Sequence, residues 1–210
     1  MYRPATYAVD DLATLHGVMR ERIFALLAAS RENRVLFAHA PVVVDAGAGT
    51  HGRVRFHLAR GNPLAALEDG DRAWLSMTAA DAYVSPDWYR SGGMVPTWNY
   101  VAIEGEGTIR RHSREELHEL LEDISAQEEA RLAPKKPWTL GEVPERRVAA
   151  LMNAIVGFSL LLDRLEGKFK LSQDKSGEDF AGVLCGLAAR GDGASLAVAQ
   201  AMKKIARPAH

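Results

Sequence analysis

The sequence predicts an α+β fold in which an antiparallel sheet or barrel carries flanking helices. Strand-like segments follow one another through the first half of the chain with short turns, which suits antiparallel pairing. A helical stretch over about residues 113–155 interrupts this series before a strand returns. The strand–helix alternation of a doubly wound parallel sheet is missing, as is a G-x-G-x-x-G motif after the first strand.

Length and composition indicate a single domain over residues 1–210. Of the 210 residues, 47% are hydrophobic and 25% are charged, so a sizeable core can be buried. The formal net charge of -1 does not support DNA binding through phosphate contacts, although a local patch stays possible. The longest uncharged apolar run, Val148–Leu162, is too short to span a membrane, and no signal peptide is visible. We therefore expect a cytoplasmic protein without membrane contact.

The single cysteine, Cys185, cannot form an internal disulfide, which fits a reducing compartment. It lies in the apolar stretch Gly182–Leu187, where no neighbour supplies the positive charge that activates a thiol. We expect a buried core thiol.

The first elements along the chain are a helix and two strands. The helix is predicted over Asp10–Arg22, where an initial aspartate can cap the first turn and apolar residues recur on one face. Buried strands are predicted over Ile23–Ala29 and Val35–Asp45, with a polar turn at Arg31–Arg34 between them.

The next strand is predicted over Arg53–Ala59, where apolar and polar residues alternate. Asn62 and Pro63 then suit the N-cap and first position of a short helix that ends at Glu68. Later strands are predicted over Ala73–Thr78, Pro96–Arg110 and Val156–Leu165.

Helices are predicted in the second half of the chain. Ser113–Glu116 forms a capping box that opens one helix, and Pro144 starts another. The second of these should face inward through Val148, Leu151, Met152 and Ile155. The C-terminal helices, at about residues 178–206, have the outline of a helix-turn-helix, but the second offers almost no donors to base edges at its start. A packing hairpin is favoured.

Three segments carry candidate binding chemistry, and each has a structural alternative. Arg60, at a strand end before a helix N-terminus, can bind phosphate or can simply face solvent beside a cap. Lys168 and Lys170 share one strand face and can contact an anion, or can protect an edge strand from pairing. The aromatic segments Tyr83–Tyr89 and Val95–Tyr100 can form the walls of a site for a flat ring, or a core cluster.

Several familiar chemistries lack their motifs. The chain has no H-E-x-x-H, no paired cysteines, no G-x-S-x-G and no phosphate loop. The histidines His39, His57, His112 and His118 do not share metal-ligand spacing, so no metal site is predicted.

In their order along the chain, these motifs resemble the PaiB-like FMN-binding negative transcriptional regulators. The resemblance runs from the first residue to about Gly186. The segments that carry it are His57–Pro63, Tyr83–Tyr89, Val95–Tyr100, Ile155–Phe158 and Leu165–Gln173.

The resemblance implies an antiparallel split β-barrel similar to pyridoxamine-phosphate oxidases, with flanking helices and a helical insertion. It also implies a homodimer that holds FMN at the interface between its subunits. The implied cofactor-binding residues are Arg60 and Asn62 at the phosphate end, Trp98 and Asn99 at the ring, Lys168, Lys170 and Gln173 from the C-terminal strand, and His39 and His57 in the same groove.

Three functions fit this resemblance. The family name indicates a flavin-dependent transcriptional regulator or sensor. An FMN-dependent oxidoreductase acting on a small molecule also fits, because flavin chemistry requires few motifs from the protein. A haem-binding split barrel is the third, with His39 or His57 as the axial ligand.

Overall fold

The computed structural model of the protein describes residues 1–205, in which strands of one sheet alternate with helical segments. The strands are β1 (Ala8–Val9), β2 (Phe24–Arg31), β3 (Arg34–Pro41), β4 (Val43–Asp45), β5 (Arg53–Ala59), β6 (Arg72–Val84), β7 (Thr97–Arg111) and β8 (Ile155–Lys170). The helices are α1 (Leu12–Arg22), α2 (Arg114–Ala130), α3 (Glu145–Met152), α4 (Gly177–Arg190) and α5 (Gly193–Lys204).

The strands join in the order β3-β2-β6-β7-β8-β5-β4, and β1 pairs with β8. The pairs β1–β8, β2–β3, β2–β6, β4–β5 and β5–β8 are all antiparallel. The predicted antiparallel α+β class is therefore confirmed.

The β2–β3 hairpin has a tighter turn than the sequence predicted. Arg31 pairs with Arg34, so only Glu32 and Asn33 lie in the turn. Their φ angles are +51° and +57°, the left-handed values that a two-residue hairpin turn requires. This turn fixes the register of the two strands.

The prediction of one strand over Val35–Asp45 is wrong, because the structure divides it at Val42. Pro41, the last residue of β3, has no N–H group with which to continue the ladder. The N–H of the buried Val42 donates instead to the carbonyl of Ile23 at 2.8 Å. The chain then resumes as β4.

The capping box at the start of α2 is confirmed. The Ser113 hydroxyl accepts a hydrogen bond from the Glu116 N–H at 3.2 Å, and the Glu116 carboxylate accepts one from the Ser113 N–H at 2.9 Å. Helices α2 and α3 pack together through one buried cluster. Its members are Val43, Leu117, Leu120, Val148 and Met152.

The inward orientation predicted for Leu151 is wrong, since its side chain is 59% exposed. Val148 and Met152 are four residues apart and define the buried face of α3, and Leu151 lies about 100° away from Met152 around the helix. Ile155 packs against the cluster as predicted, but from β8.

The described chain divides into two compact units. Unit 1 comprises Met1–Leu15, Thr78–Glu104 and the chain from Glu166 onward, and unit 2 comprises His16–Met77 and Gly105–Leu165. Strands β6, β7 and β8 contribute residues to both units. The single domain over residues 1–210 stays a prediction.

Helices α4 and α5 of unit 1 form the predicted hairpin. Gly191, with φ of +72°, ends α4, and the Asp192 carboxylate caps α5 by accepting from the Ser195 N–H at 3.0 Å. The predicted end of this region at residue 206 lies outside the described residues. No helix in the described part of the chain is long and apolar enough to cross a membrane.

The expected burial of Cys185 is wrong, because its side chain is exposed. Phe180, Val183 and Leu187 define the buried face of α4. Cys185 lies two residues from both Val183 and Leu187, which turns it to the outer side of the helix.

Candidate functional site

Unit 1 contains a cavity of about 340 Å³ where the start of β7 meets the end of β8. A volume of this size is at the lower end of the range for small-molecule sites, about 300–1,000 Å³. The lining residues are Tyr7, Tyr89, Gly93, Met94, Val95, Pro96, Thr97, Asn99, Lys170, Ser172, Asp174 and Lys175.

Lys170, the last residue of β8, brings a cation to this cavity. Its ammonium group donates to the Trp98 carbonyl oxygen at 2.8 Å and to the Thr97 hydroxyl. Burial lowers the pKa of Lys170, because desolvation disfavours the charged form. The amino group is thus fixed beside the first residues of β7.

A buried polar pair lies where β7 and the turn after β8 meet the cavity. The Asn99 side chain is 1% exposed and donates to the Ser172 hydroxyl at 2.9 Å. Ser172 has φ of +61°, a left-handed conformation that costs a non-glycine residue on the order of 1 kcal/mol. Strain of this kind persists only where neighbours hold the backbone in place.

Gln173 is the neighbour that holds this turn. Its side-chain oxygen accepts from the Leu171 N–H at 2.8 Å. Its amide group donates to the carbonyls of Phe169, at 2.6 Å, and Thr6, at 3.1 Å. Gln173 is buried, and its hydrogen bonds to Leu171 and Phe169 fix the backbone that leads into Ser172.

Two phenols add donors to the cavity. Burial, followed by the nearby charge of Asp174, raises the pKa of Tyr7 to about 12. Burial also raises the pKa of Tyr89, whose side chain is buried. Both hydroxyls therefore stay protonated at neutral pH, and that of Tyr7 already hydrogen-bonds to the Asp174 carboxylate within the cavity.

The predicted aromatic cluster divides into two parts. Trp98 is 52% exposed, and the Tyr83 ring meets it edge-on at 6.4 Å between centroids. Trp88 instead packs against α4, where the absence of a Cβ at Gly182 and Gly186 leaves room for it. Trp98 can serve as a surface for a flat ligand, whereas Trp88 belongs to helix packing.

Lys168 makes different contacts from Lys170. Its ammonium group donates to the Tyr2 carbonyl at 3.0 Å and lies 5.4 Å from the centroid of the Tyr100 ring. These contacts fix Lys168 against aromatic rings rather than at the cavity.

In unit 2, the side chains of the predicted phosphate-binding residues, Arg60 and Asn62, form hydrogen bonds with backbone groups of the protein. The Arg60 guanidinium donates to the carbonyls of Asn153 at 2.9 Å and Ile155 at 3.1 Å. The Asn62 side chain accepts from the Leu64 N–H at 2.9 Å, as the predicted N-cap. The predicted helix after it is a 3₁₀ turn over Pro63–Ala66. Phosphate binding here stays a prediction.

The two predicted histidines lie on different strands of unit 2. His39 on β3 is exposed, and its ring stacks on Phe24 with centroids 6.0 Å apart. His57 on β5 is partly buried, and its Nδ1 atom finds no hydrogen-bond partner in the described chain. Burial lowers the pKa of His57. No group of side chains in the described residues has the geometry of a metal site.

Of the nine predicted cofactor-binding residues, Asn99 and Lys170 line the cavity, and Trp98 contacts Lys170 through its carbonyl group. The sequence-based prediction omitted Tyr7, Asp174 and Lys175 from the site. Asp174 and Lys175 directly follow the predicted segment that ends at Gln173, so their position was a usable signal. Tyr7 had no local signal, because only tertiary structure brings it to the end of β8.

The family described as "Putative FMN-binding domain" matches residues 1–164. The chain belongs to this family. The resemblance to its PaiB-like members is confirmed by protease synthase and sporulation protein PAI 2 of Bacillus subtilis, which is 24% identical over 185 residues. That alignment covers 88% of this chain and 87% of the Bacillus protein.

A fungal relative covers slightly more of the chain. The uncharacterized protein AN0679 of Emericella nidulans is 28% identical over 243 aligned positions, which cover 97% of each protein.

Solved structures confirm the split-barrel fold of this family member. The FAD and heme binding protein of Mycobacterium smegmatis superimposes with a TM-score of 0.58 at 19% identity, covering 83% of this chain and 79% of that protein. The flavocytochrome Anf3 of Azotobacter vinelandii superimposes with a TM-score of 0.59 at 17% identity, covering 86% of this chain and 78% of that protein. At these identities the likeness establishes the fold alone.

Proposed function

We propose that this protein binds FMN and acts through the flavin as a sensor or regulator. The observation that carries the proposal is the position of the Lys170 ammonium group, which lines the cavity of unit 1 and donates a hydrogen bond to the carbonyl of the exposed Trp98. Membership of the FMN-binding family supports a flavin as the ligand.

The residues at the cavity fit the chemical needs of FMN. The exposed indole of Trp98 offers a flat apolar surface for a ring system. Lys170 offers positive charge to an anionic ligand, and the phenols of Tyr7 and Tyr89 offer donors to polar ring edges. When bound, FMN would supply the electron-transfer chemistry, while these residues bind and orient it.

Retention of FMN is the first test of the proposal. The purified protein is mixed with FMN and desalted, and its absorption spectrum is recorded. We expect the paired near-ultraviolet and blue bands of a flavin to stay with the protein. A colourless protein that does not retain FMN would remove the proposed function and leave the fold intact.

Variants then test where the flavin binds. Lys170→Met is expected to weaken FMN binding about tenfold, as loss of one charge-assisted contact does. Lys203→Met, which removes an exposed ammonium from α5, serves as the matched control and should bind FMN normally. Arg60→Ala, alone and combined with Lys170→Met, tests the predicted phosphate end, and normal affinity in the double variant would exclude both residues.

A flavin-dependent oxidoreductase is the second candidate. Tyr7 and Tyr89 favour it, because both phenols stay protonated at neutral pH beside the same cavity and can deliver protons to a small substrate. The test reduces the bound flavin without oxygen and follows its reoxidation by candidate acceptors. Tyr89→Phe should slow reoxidation by the true acceptor by a larger factor than it weakens FMN binding, which is measured in parallel.

Haem binding has its own spectroscopic signature. Two structural neighbours are named as a heme-binding protein and a flavocytochrome. A Soret band in the spectrum of the purified protein would identify haem, rather than FMN, as the cofactor. His39→Ala and His57→Ala would then test which imidazole binds the iron.

A homodimer is part of the proposal, and unit 2 offers a surface for it. Phe24, Val35 and Phe37 on β2 and β3 are each 60% exposed, and Trp74 on β6 is 37% exposed. These four side chains form what we name the β3 face. An exposed apolar sheet face with an open edge strand fits a second copy of the same chain. The family resemblance also implies FMN at the subunit interface, but none of the four residues of the β3 face lines the cavity proposed here for FMN.

A regulatory role requires a nucleic-acid or protein target. The net charge of -1 gives no general attraction to DNA. A mobility-shift assay with genomic fragments at stated salt tests DNA binding directly. Complexes that vanish at moderate salt and show no sequence preference would exclude an operator-binding regulator.

A further inference from the structure

Unit 2 contains a larger cleft that includes none of the predicted cofactor-binding residues. It has a volume of about 880 Å³ and lies between α2 and residues 140–152. Its floor is apolar. The floor residues are Leu140, Val143, Val148 and Met152. Val148 and Met152 are buried, whereas Leu140 and Val143 are only half-buried and present apolar surface to the cleft.

The rim of the cleft is strongly acidic. Its carboxylates are Glu115, Glu119, Glu122, Glu142 and Glu145. Among the residues that line the cleft, Arg114 is the one with a permanent positive charge. Its guanidinium already donates to the Asn153 side chain at 3.0 Å and to the Ala149 carbonyl at 3.2 Å. The cleft therefore carries an excess of negative charge above an apolar floor.

Two of the rim carboxylates already have polar partners, since the Ser113 hydroxyl donates to Glu115 at 2.9 Å and His118 Nδ1 lies 3.6 Å from Glu122. Glu115, Glu119 and Glu122 follow one another at intervals of four and three residues, so they share one face of α2 and repel each other. Glu119 and Glu145 form no ion pair with any residue between 1 and 205.

We propose that this cleft binds a small amphiphilic cation, an organic molecule with an apolar body and a positive charge. The apolar body would bury the exposed surface of Leu140 and Val143, and the charge would lie among the rim carboxylates. The volume lies within the range of small-molecule sites, about 300–1,000 Å³. This ligand is distinct from the proposed flavin, and the cleft and flavin-site residues do not overlap.

Two probe ions of equal shape and opposite charge test the proposal. Calorimetric titration of the full-length protein compares tetraphenylphosphonium with tetraphenylborate. We expect the phosphonium ion to bind at least tenfold more tightly than the borate. Equal affinity would mean that apolar contact alone drives binding, and absence of phosphonium binding would likewise overturn the proposal.

Variants place the binding in the cleft. Glu119→Gln combined with Glu145→Gln removes two rim charges at nearly constant shape and should weaken phosphonium binding about tenfold. Glu32→Gln combined with Asp81→Asn removes two exposed carboxylates elsewhere and should leave it unchanged. FMN affinity, measured in parallel, should be the same in all of these proteins.

Two further outcomes would also overturn the proposal. If both double variants lost affinity for the phosphonium ion equally, the ion would be attracted by the net charge of the protein and not bound in the cleft. Binding of an arginine-rich amphipathic peptide, without any binding of the phosphonium ion, would assign the cleft to a macromolecular partner instead.

Discussion

Gln173 shows how a single side chain supports the cavity in unit 1. Its three hydrogen bonds satisfy the Leu171 N–H and the carbonyls of Phe169 and Thr6. Gln173→Ala should therefore lower the free energy of unfolding by about 2–3 kcal/mol, because buried backbone groups lose their partners. Urea denaturation measures the change. Gln200→Ala, at an exposed position of α5, is the control and should have little effect.

Two partly buried histidines predict how the free energy of unfolding depends on pH. Burial lowers the pKa of His112 to about 4 and also lowers that of His57. An unfolded histidine has a pKa of about 6.5, so the unfolded chain takes up protons first as the pH falls. The contribution of these neutral histidines to the free energy of unfolding is fully present above a pH of about 6.5. It is lost progressively as the pH falls towards about 4.

His112→Gln tests this pH dependence. The variant should lose less stability than the native protein between pH of about 7 and about 5, as measured by urea midpoints at the two values. Equal losses in the native protein and His112→Gln would contradict the assignment.

At the scale of single residues, sequence patterns located part of the candidate site. Lys170 and Asn99 were predicted from their motifs, and both line the cavity. Tyr7 was not, because the pairing of β1 with β8 brings the N-terminal segment to the site and no local pattern encodes that contact. Cys185 was wrongly placed in the core because an apolar helical stretch does not specify which of its faces is buried.

At the scale of elements, the docking of α4 depends on two glycines. A Cβ at Gly186 would overlap the Trp88 indole, and a Cβ at Gly182 would meet the Trp88 carbonyl. Gly186→Ala should destabilise the protein by about 1–3 kcal/mol through overpacking, although alanine favours helices. Thermal and urea unfolding measure this.

Gly17→Ala is the matched control for Gly186→Ala. Gly17 lies inside α1 with no atom within 4 Å of its missing Cβ. Alanine there should raise stability by about 0.5–1 kcal/mol, as helix propensity alone dictates. If both substitutions were stabilising, Trp88 would not be packed as described.

Elements with local signals were predicted well. The β5 strand has the predicted bounds, because its side chains alternate between buried and half-buried positions. The start of α2 was also predicted correctly, because the capping box depends only on residues within one turn of each other, Ser113 and Glu116. The division between β3 and β4 was missed, because the bond from Val42 to Ile23 is a contact between distant residues.

At the scale of the whole molecule, the β3 face predicts a dimer that a single charge would disrupt. Phe37→Glu should convert the protein to a monomer at micromolar concentrations, because a buried unpaired carboxylate is costly. Leu151→Glu changes a side chain of nearly equal exposure on α3, 59% against 60% for Phe37, and should stay dimeric. Sedimentation velocity distinguishes the two states. A native protein that is monomeric, or a dimeric Phe37→Glu variant, would contradict the prediction.

The way the chain is shared between the units has an evolutionary consequence. Unit 1 comes from three separate stretches of sequence and unit 2 from two, and the long strands β6, β7 and β8 cross from one to the other. No single recombination point in a gene could exchange one unit and leave the other whole. A single crossover therefore cannot transfer the cavity of unit 1 without part of unit 2, or the acidic cleft of unit 2 without part of unit 1.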